Sequence, residues 1–129
     1  MINLSHSVRV FLHAPATDLR KGFDALAGLV TAAFRQDPTS GSLFLFVNRR
    51  RDRLKILYWD RDGLAIWYKR LETPGRFQLP VVHQDIVSVE MTSTQLSLIL
   101  AGIDLGSARQ RKRYQRPVLE VEKSIAAAL

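Results

Sequence analysis

A chain of 129 residues buries a single hydrophobic core and is too short for two domains of ordinary size. Its 47% apolar and 24% charged residues are those of a folding globular protein. Nineteen Lys and Arg against twelve Asp and Glu leave a net charge of +7, which favours a polyanionic partner, nucleic acid or an anionic membrane surface. No segment approaches the ~18 to 20 consecutive apolar residues of a membrane span. The N-terminus lacks the order of a signal peptide, and a chain with no cysteine has no disulfides, thiol nucleophiles or ordinary zinc knuckles. A cytoplasmic protein without a metal or other cofactor is expected.

In chain order, Val8 to Leu12 reads as a strand closed by Pro15. Thr17 and Asp18 are N-cap residue types ahead of Leu19, Phe23, Leu26, Leu29, Val30, Ala33 and Phe34. That spacing predicts a helix of about four to five turns, ended at Asp37-Pro38. The uninterrupted apolar run Leu43 to Val47 predicts a buried strand. Asn48 to Asp52 is a connection into a second strand, Leu54 to Trp59. An Asp-Gly signal at Asp62-Gly63 then leads into a third, Leu64 to Lys69. After a turn at Thr73-Pro74-Gly75, Phe77 to Leu79 predicts a short strand. Thr92, Ser93 or Thr94 caps a second helix that stops near Gly102. Beyond Gly106 six cations face two glutamates with few large apolar groups, which predicts a mobile basic tail over 107–129 behind a domain at 1–106. The expected fold is one α+β domain, an antiparallel β-meander sheet packed against one or two helices.

Arg49, Arg50, Arg51 and Arg53 with Lys55 give the strongest chemical signal. Guanidinium groups on an exposed connection bind phosphate oxygens bidentately without needing a particular base. The alternative is a solvated loop, disfavoured by the mutual repulsion of four arginines in five residues. Arg20 and Lys21, at the start of the first helix, form a second candidate group, since free helix-end N–H groups also bind phosphate. Phe44, Phe46, Tyr58, Trp59, Trp67 and Tyr68 suit either base stacking or core packing. Core packing fits the apolar strands better, with Trp59 and Trp67 the pair expected to be partly exposed. Asp18, Asp24, Asp60 and Asp62 could be arranged as a two-metal nuclease site, but turn and cap roles account for all four. His6, His13 and His83 have no metal-ligand spacing.

The strings DLRKGFD at 18–24, LFLFVNRR at 43–50, DRLKILYWD at 52–60, DGLAIWYKRLE at 62–72 and GRFQLP at 75–80 together resemble the TnpB, or Orf2-like, accessory proteins. These are encoded beside the transposase in a large class of bacterial insertion sequences and are distinct from the RNA-guided nucleases that share the name. The resemblance spans roughly residues 8–105 and implies a helper of transposition acting beside a separate catalytic transposase. Arg51 stands where this family often has glycine, so a longer or looser turn is expected there.

The sequence therefore favours a non-catalytic transposition helper that grips DNA phosphate, with other surfaces for the transposase or for a second copy of itself. An assembly adaptor acting through protein contacts alone, or a metal-dependent nuclease, are the alternatives.

Overall fold

Five consecutive large apolar residues, Leu43 to Val47, have no polar face to give to water, so a strand made of them must be covered on both sides. In the computed structural model, which describes Ser5 and residues 7–102, all five are buried. They form β2 (Leu43–Val47), the middle strand of a five-stranded sheet. The others are β1 (Val10–His13), β3 (Arg53–Asp60), β4 (Gly63–Arg70) and β5 (Ser88–Met91), in the order β4-β3-β2-β1-β5.

Alternation divides the core by sheet face. Val10, Leu12, Leu43, Leu45, Val47, Leu54 and Ile56 pack on one side with Leu96 and Ile99 of α2 (Ser93–Leu100). Phe11, Phe44, Phe46 and Leu57 pack on the other with Leu26 of α1 (Phe23–Leu29) and with Val30 and Phe34 of the π-helical segment that continues it (Val30–Phe34). The helix residues recur at intervals of four and so lie on one face. The sheet is thus sandwiched by a helix on each face rather than covered on one.

The fold is α+β, and β2-β3-β4 is the expected antiparallel meander. β1, however, runs parallel to β2, with Val10 opposite Leu43, because α1 carries the chain back across the sheet between them. β5, not foreseen in the sequence, pairs antiparallel with β1. The first helix is shorter than predicted and starts later. Asp18 does not cap it: the carboxylate accepts the Arg20 backbone N–H and guanidinium in a local turn, and Gly22 is the N-cap instead. Phe77 to Leu79 forms no strand: the Phe77 N–H donates at 2.7 Å to the carbonyl of Arg51, which lies in the connection between β2 and β3 and not in the sheet. The β3–β4 hairpin turns on Arg61-Asp62, one residue ahead of the Asp-Gly pair, with Arg61 in the left-handed region. The second helix is capped as expected: the Thr92 hydroxyl accepts the Gln95 N–H while the Gln95 amide oxygen accepts the Thr92 N–H. The expected boundary at 106 and the basic tail lie outside the described residues. Among those residues no helix is long and apolar enough to cross a membrane.

Candidate nucleic-acid interface

The connection from β2 to β3 is held by one amide. Asn48 Oδ1 accepts the backbone N–H groups of Asp52 and Arg53, and its Nδ2 donates to the Asp52 carboxylate at 2.6 Å. The Arg51 N–H closes the turn on the Asn48 carbonyl, and Arg51 takes φ 59°, the left-handed conformation that glycine adopts without cost. The turn is closed by this hydrogen bond, and the arginine accepts the strained backbone.

This geometry splits the arginine run. Arg49, Arg50 and Arg53 line an open cavity of about 630 Å³ together with Asn48 and Asp52, whereas Arg51 lines a separate, more apolar cavity with Leu79, Pro80 and Val81. The other wall of the first cavity is Ala16 to Arg20. That segment lies here because the Thr17 N–H donates to the Val47 carbonyl at 2.8 Å, just ahead of the arginine turn. Thr17 is itself buried, with its hydroxyl 3.2 Å from His13 Nδ1. Two candidate groups far apart in the sequence, Arg20 and the arginine turn, thus share one concavity with four arginines and two aspartates.

Its charges are unevenly engaged. Arg20 is clamped on Asp18, with Nη2 donating to Oδ2 at 2.6 Å and Nε to both carboxylate oxygens at 3.0 Å. Hydrogen bonding from the Arg20 side chain and backbone, aided by the charges of Arg20 and Lys21, lowers the Asp18 pKa to about 2. Asp52 is also shifted down, chiefly by the Asn48 amide. Arg53 donates to the Tyr68 hydroxyl at 3.2 Å. Arg49 and Arg50 are exposed and make no side-chain hydrogen bond or ion pair among the described residues. Lys55 and Lys21 lie beside the cavity rather than in it: Lys55 Nζ donates to the Lys21 carbonyl at 3.0 Å and sits 4.9 Å from the Tyr68 ring centroid.

Phe44 and Phe46 are fully buried core residues. Trp59 and Trp67 are half-buried but point to opposite faces of the sheet, so they form no pair. The most exposed aromatic of the sheet is Tyr68, at 47%. Asp60 and Asp62 lie at the β3–β4 hairpin, away from Asp18, and among the described residues no three His, Asp or Glu side chains group as a metal site.

Residues 8–110 match the family model described as IS66 Orf2-like protein. The chain belongs to this family. IS66 Orf2-like proteins are accessory proteins associated with the transposition of insertion sequences, the family already resembled by the strings around the arginine turn. The chain is also similar to two Sinorhizobium fredii proteins, named uncharacterized protein y4jC and uncharacterized protein y4hO. It is 35% identical to the first over 91% of its own length and 97% of the relative's, and 35% identical to the second over 81% and 88%. No solved structure matches it significantly. Among the family's strings, DLRKGFD supplies one wall of the cavity and the VNRR and DRLK strings the other. Asn48 and Asp52, not singled out from the sequence as site residues, organise it. Their turn-forming residue types were the available signal.

Proposed function

We propose that this IS66 Orf2-like protein assists transposition by holding the phosphate backbone of DNA in the cavity between Ala16–Arg20 and Asn48–Arg53, and that it binds without cutting. The observation that carries the reading is the convergence of Arg20, Arg49, Arg50 and Arg53 on one open concavity, with Arg49 and Arg50 exposed and unpaired. Cations brought together at this density repel one another unless an anion joins them, and guanidinium forks match phosphate oxygens. The two carboxylates in the cavity are held by Arg20 and Asn48, as bound counter-charges rather than as a pair free to take a metal. Lys21 and Lys55 extend the basic surface beside it. The transposase of the same element is the protein partner this reading expects.

The test is binding of the protein to duplex DNA, element-end and random, at two or more salt concentrations. Each phosphate contact contributes about 0.9 to the slope of log affinity against log salt, so the triple change Arg49→Ala, Arg50→Ala, Arg53→Ala should reduce the slope by up to about 2.7 on both DNAs. An unchanged slope in a folded triple variant would leave the adaptor reading in its place. Cleavage of either DNA with Mg²⁺, abolished by Asp18→Asn or Asp52→Asn, would replace it with the nuclease one.

A further inference from the structure

Tyr68 stays nearly half in water on a strand whose neighbours find a core to pack into. Alternation fixes where it stands. Ile66 packs against the cluster of Leu57 and the α1 side, and Tyr68, two positions on, lies on the same face outside that cluster. Register then gives the ring its company. Lys55 is directly opposite Tyr68, and Arg53 is directly opposite Arg70 one step further along the same face. Arg53, Lys55 and Arg70 therefore surround an open aromatic ring on the α1 side of β3 and β4. Arg53 and Arg70 are exposed and Lys55 is half-buried.

The ring is held rather than loose. Its hydroxyl accepts Nη1 of Arg53, and Lys55 Nζ, itself anchored on the Lys21 carbonyl, lies over one face. A single ammonium covers a single face, and among the described residues no aromatic ring stacks on the other. Arg53 also joins this surface to the cavity, which it lines with Arg49 and Arg50 while reaching the tyrosine. A nucleic-acid strand with its phosphates in the cavity is thus led onto the ring.

We propose that Tyr68 is a stacking platform for an unpaired base, so that the protein holds DNA where duplex passes into single strand, a reading that rests on phosphate binding in the cavity as proposed above. Bases inside a duplex turn their flat faces to one another and leave none for a side chain. An unpaired base has a free π-face that a fixed ring can take whatever the base is. The flanking cations suit a base still attached to its phosphates. Arg70 is paired with Glu72 at 2.7 Å, but both side chains are exposed, so a phosphate can replace the carboxylate.

The experiment compares the full chain with Tyr68→Leu and Tyr68→Phe on two DNAs. One is a blunt duplex, and the other is the same duplex with a single-stranded extension of about eight nucleotides, within the range of single-strand site sizes. The extension carries a fluorescent adenine analogue whose emission falls when it stacks. The parent should bind the extended duplex about 5- to 100-fold more tightly than the blunt one and quench the analogue. Tyr68→Leu should lose that margin and the quenching while binding the blunt duplex as before, which also shows it folded. Tyr68→Phe keeps the ring and should keep both. Equal binding of the two DNAs by the parent, with its salt dependence intact, overturns the platform and leaves the phosphate reading standing. Failure to bind either DNA removes both readings. A loss in Tyr68→Leu that is equal on the two DNAs also overturns the platform, since the ring would then serve only to position Arg53. So does a Tyr68→Leu variant that binds the extended duplex as tightly as the parent, which would assign the open ring to a protein contact.

Discussion

Asn48 holds Asp52 from both ends of its amide, donating from Nδ2 to the carboxylate and accepting the Asp52 backbone N–H at Oδ1. Because Oδ1 also accepts the Arg53 N–H, this one side chain sets the path of the whole arginine turn. Asn48→Ala should lower folding stability by about 1 to 3 kcal/mol, the range for removing the partner of part-buried polar groups, and weaken DNA binding along with it. Chemical denaturation read beside a binding isotherm checks both. A variant with full stability and full affinity would show that the turn keeps its shape without the amide.

Arg51 occupies the left-handed region, where a side chain costs about 1 to 2 kcal/mol and glycine costs nothing sterically. Arg51→Gly should raise stability by up to about 1 kcal/mol, the larger entropy of unfolded glycine offsetting part of the relief, and Arg51→Val should lower it. Since Arg51 lines the other cavity, Arg51→Gly should also leave the salt dependence of DNA binding close to that of the parent. A slope reduced by a full contact would return Arg51 to the phosphate site.

The parts of this fold written in local pattern were legible in the sequence. Five consecutive apolar residues specify a covered strand, and Thr92, Ser93 and Thr94 mark the start of a helix without saying which of them caps it, which the bonds between Thr92 and Gln95 decide. What local pattern does not encode was missed. Nothing in Val10 to His13 says that its neighbour runs parallel, and four residues of mixed character, Ser88 to Met91, carry too little alternation to announce a strand. Asp18 was a plausible cap by residue type, but Arg20, two positions on, competes for the same carboxylate. The basic residues of the candidate site were visible one group at a time. Their meeting depends on the bond from Thr17 to Val47, a tertiary contact between residues that no spacing rule connects.

His13 introduces a pH dependence into that tertiary contact. Its ring packs beside Phe34 and Phe46, and burial lowers its pKa from the ordinary value near 6.5, with the Pro15 carbonyl acting in the opposite direction. A histidine held neutral in the folded state binds its proton more readily when unfolded. Stability should therefore fall as pH drops through about 6.5 toward the depressed folded value, and show no further contribution from His13 below that. Denaturation midpoints measured from pH 8 to 5 should show this step in the parent and lose it in His13→Gln. An identical profile in the two proteins would remove His13 as its source.

The clamp of Asp18 on Arg20 bears most directly on binding. Both carboxylate oxygens engage Nε of the guanidinium, and one also engages Nη2, the fork geometry that a phosphate would use. DNA must therefore compete with Asp18 for Arg20, and Asp18→Asn should free the guanidinium while leaving an amide of the same shape in the turn. The pair is exposed, so the change should cost little stability. Affinity for duplex DNA should rise, and the slope of log affinity against log salt should steepen by up to about 0.9 as one further phosphate contact forms. Removing a negative charge also favours DNA in a general way, so the comparison has to separate the two effects. Asp60→Asn, at the end of β3 away from the cavity, makes the same charge change without freeing Arg20 and should give a smaller gain. Asp18→Asn in an Arg20→Ala background should give no added slope at all. If the gain persists without Arg20, Asp18 acts on DNA only through its charge, and the clamp holds the local turn rather than a phosphate ligand in reserve.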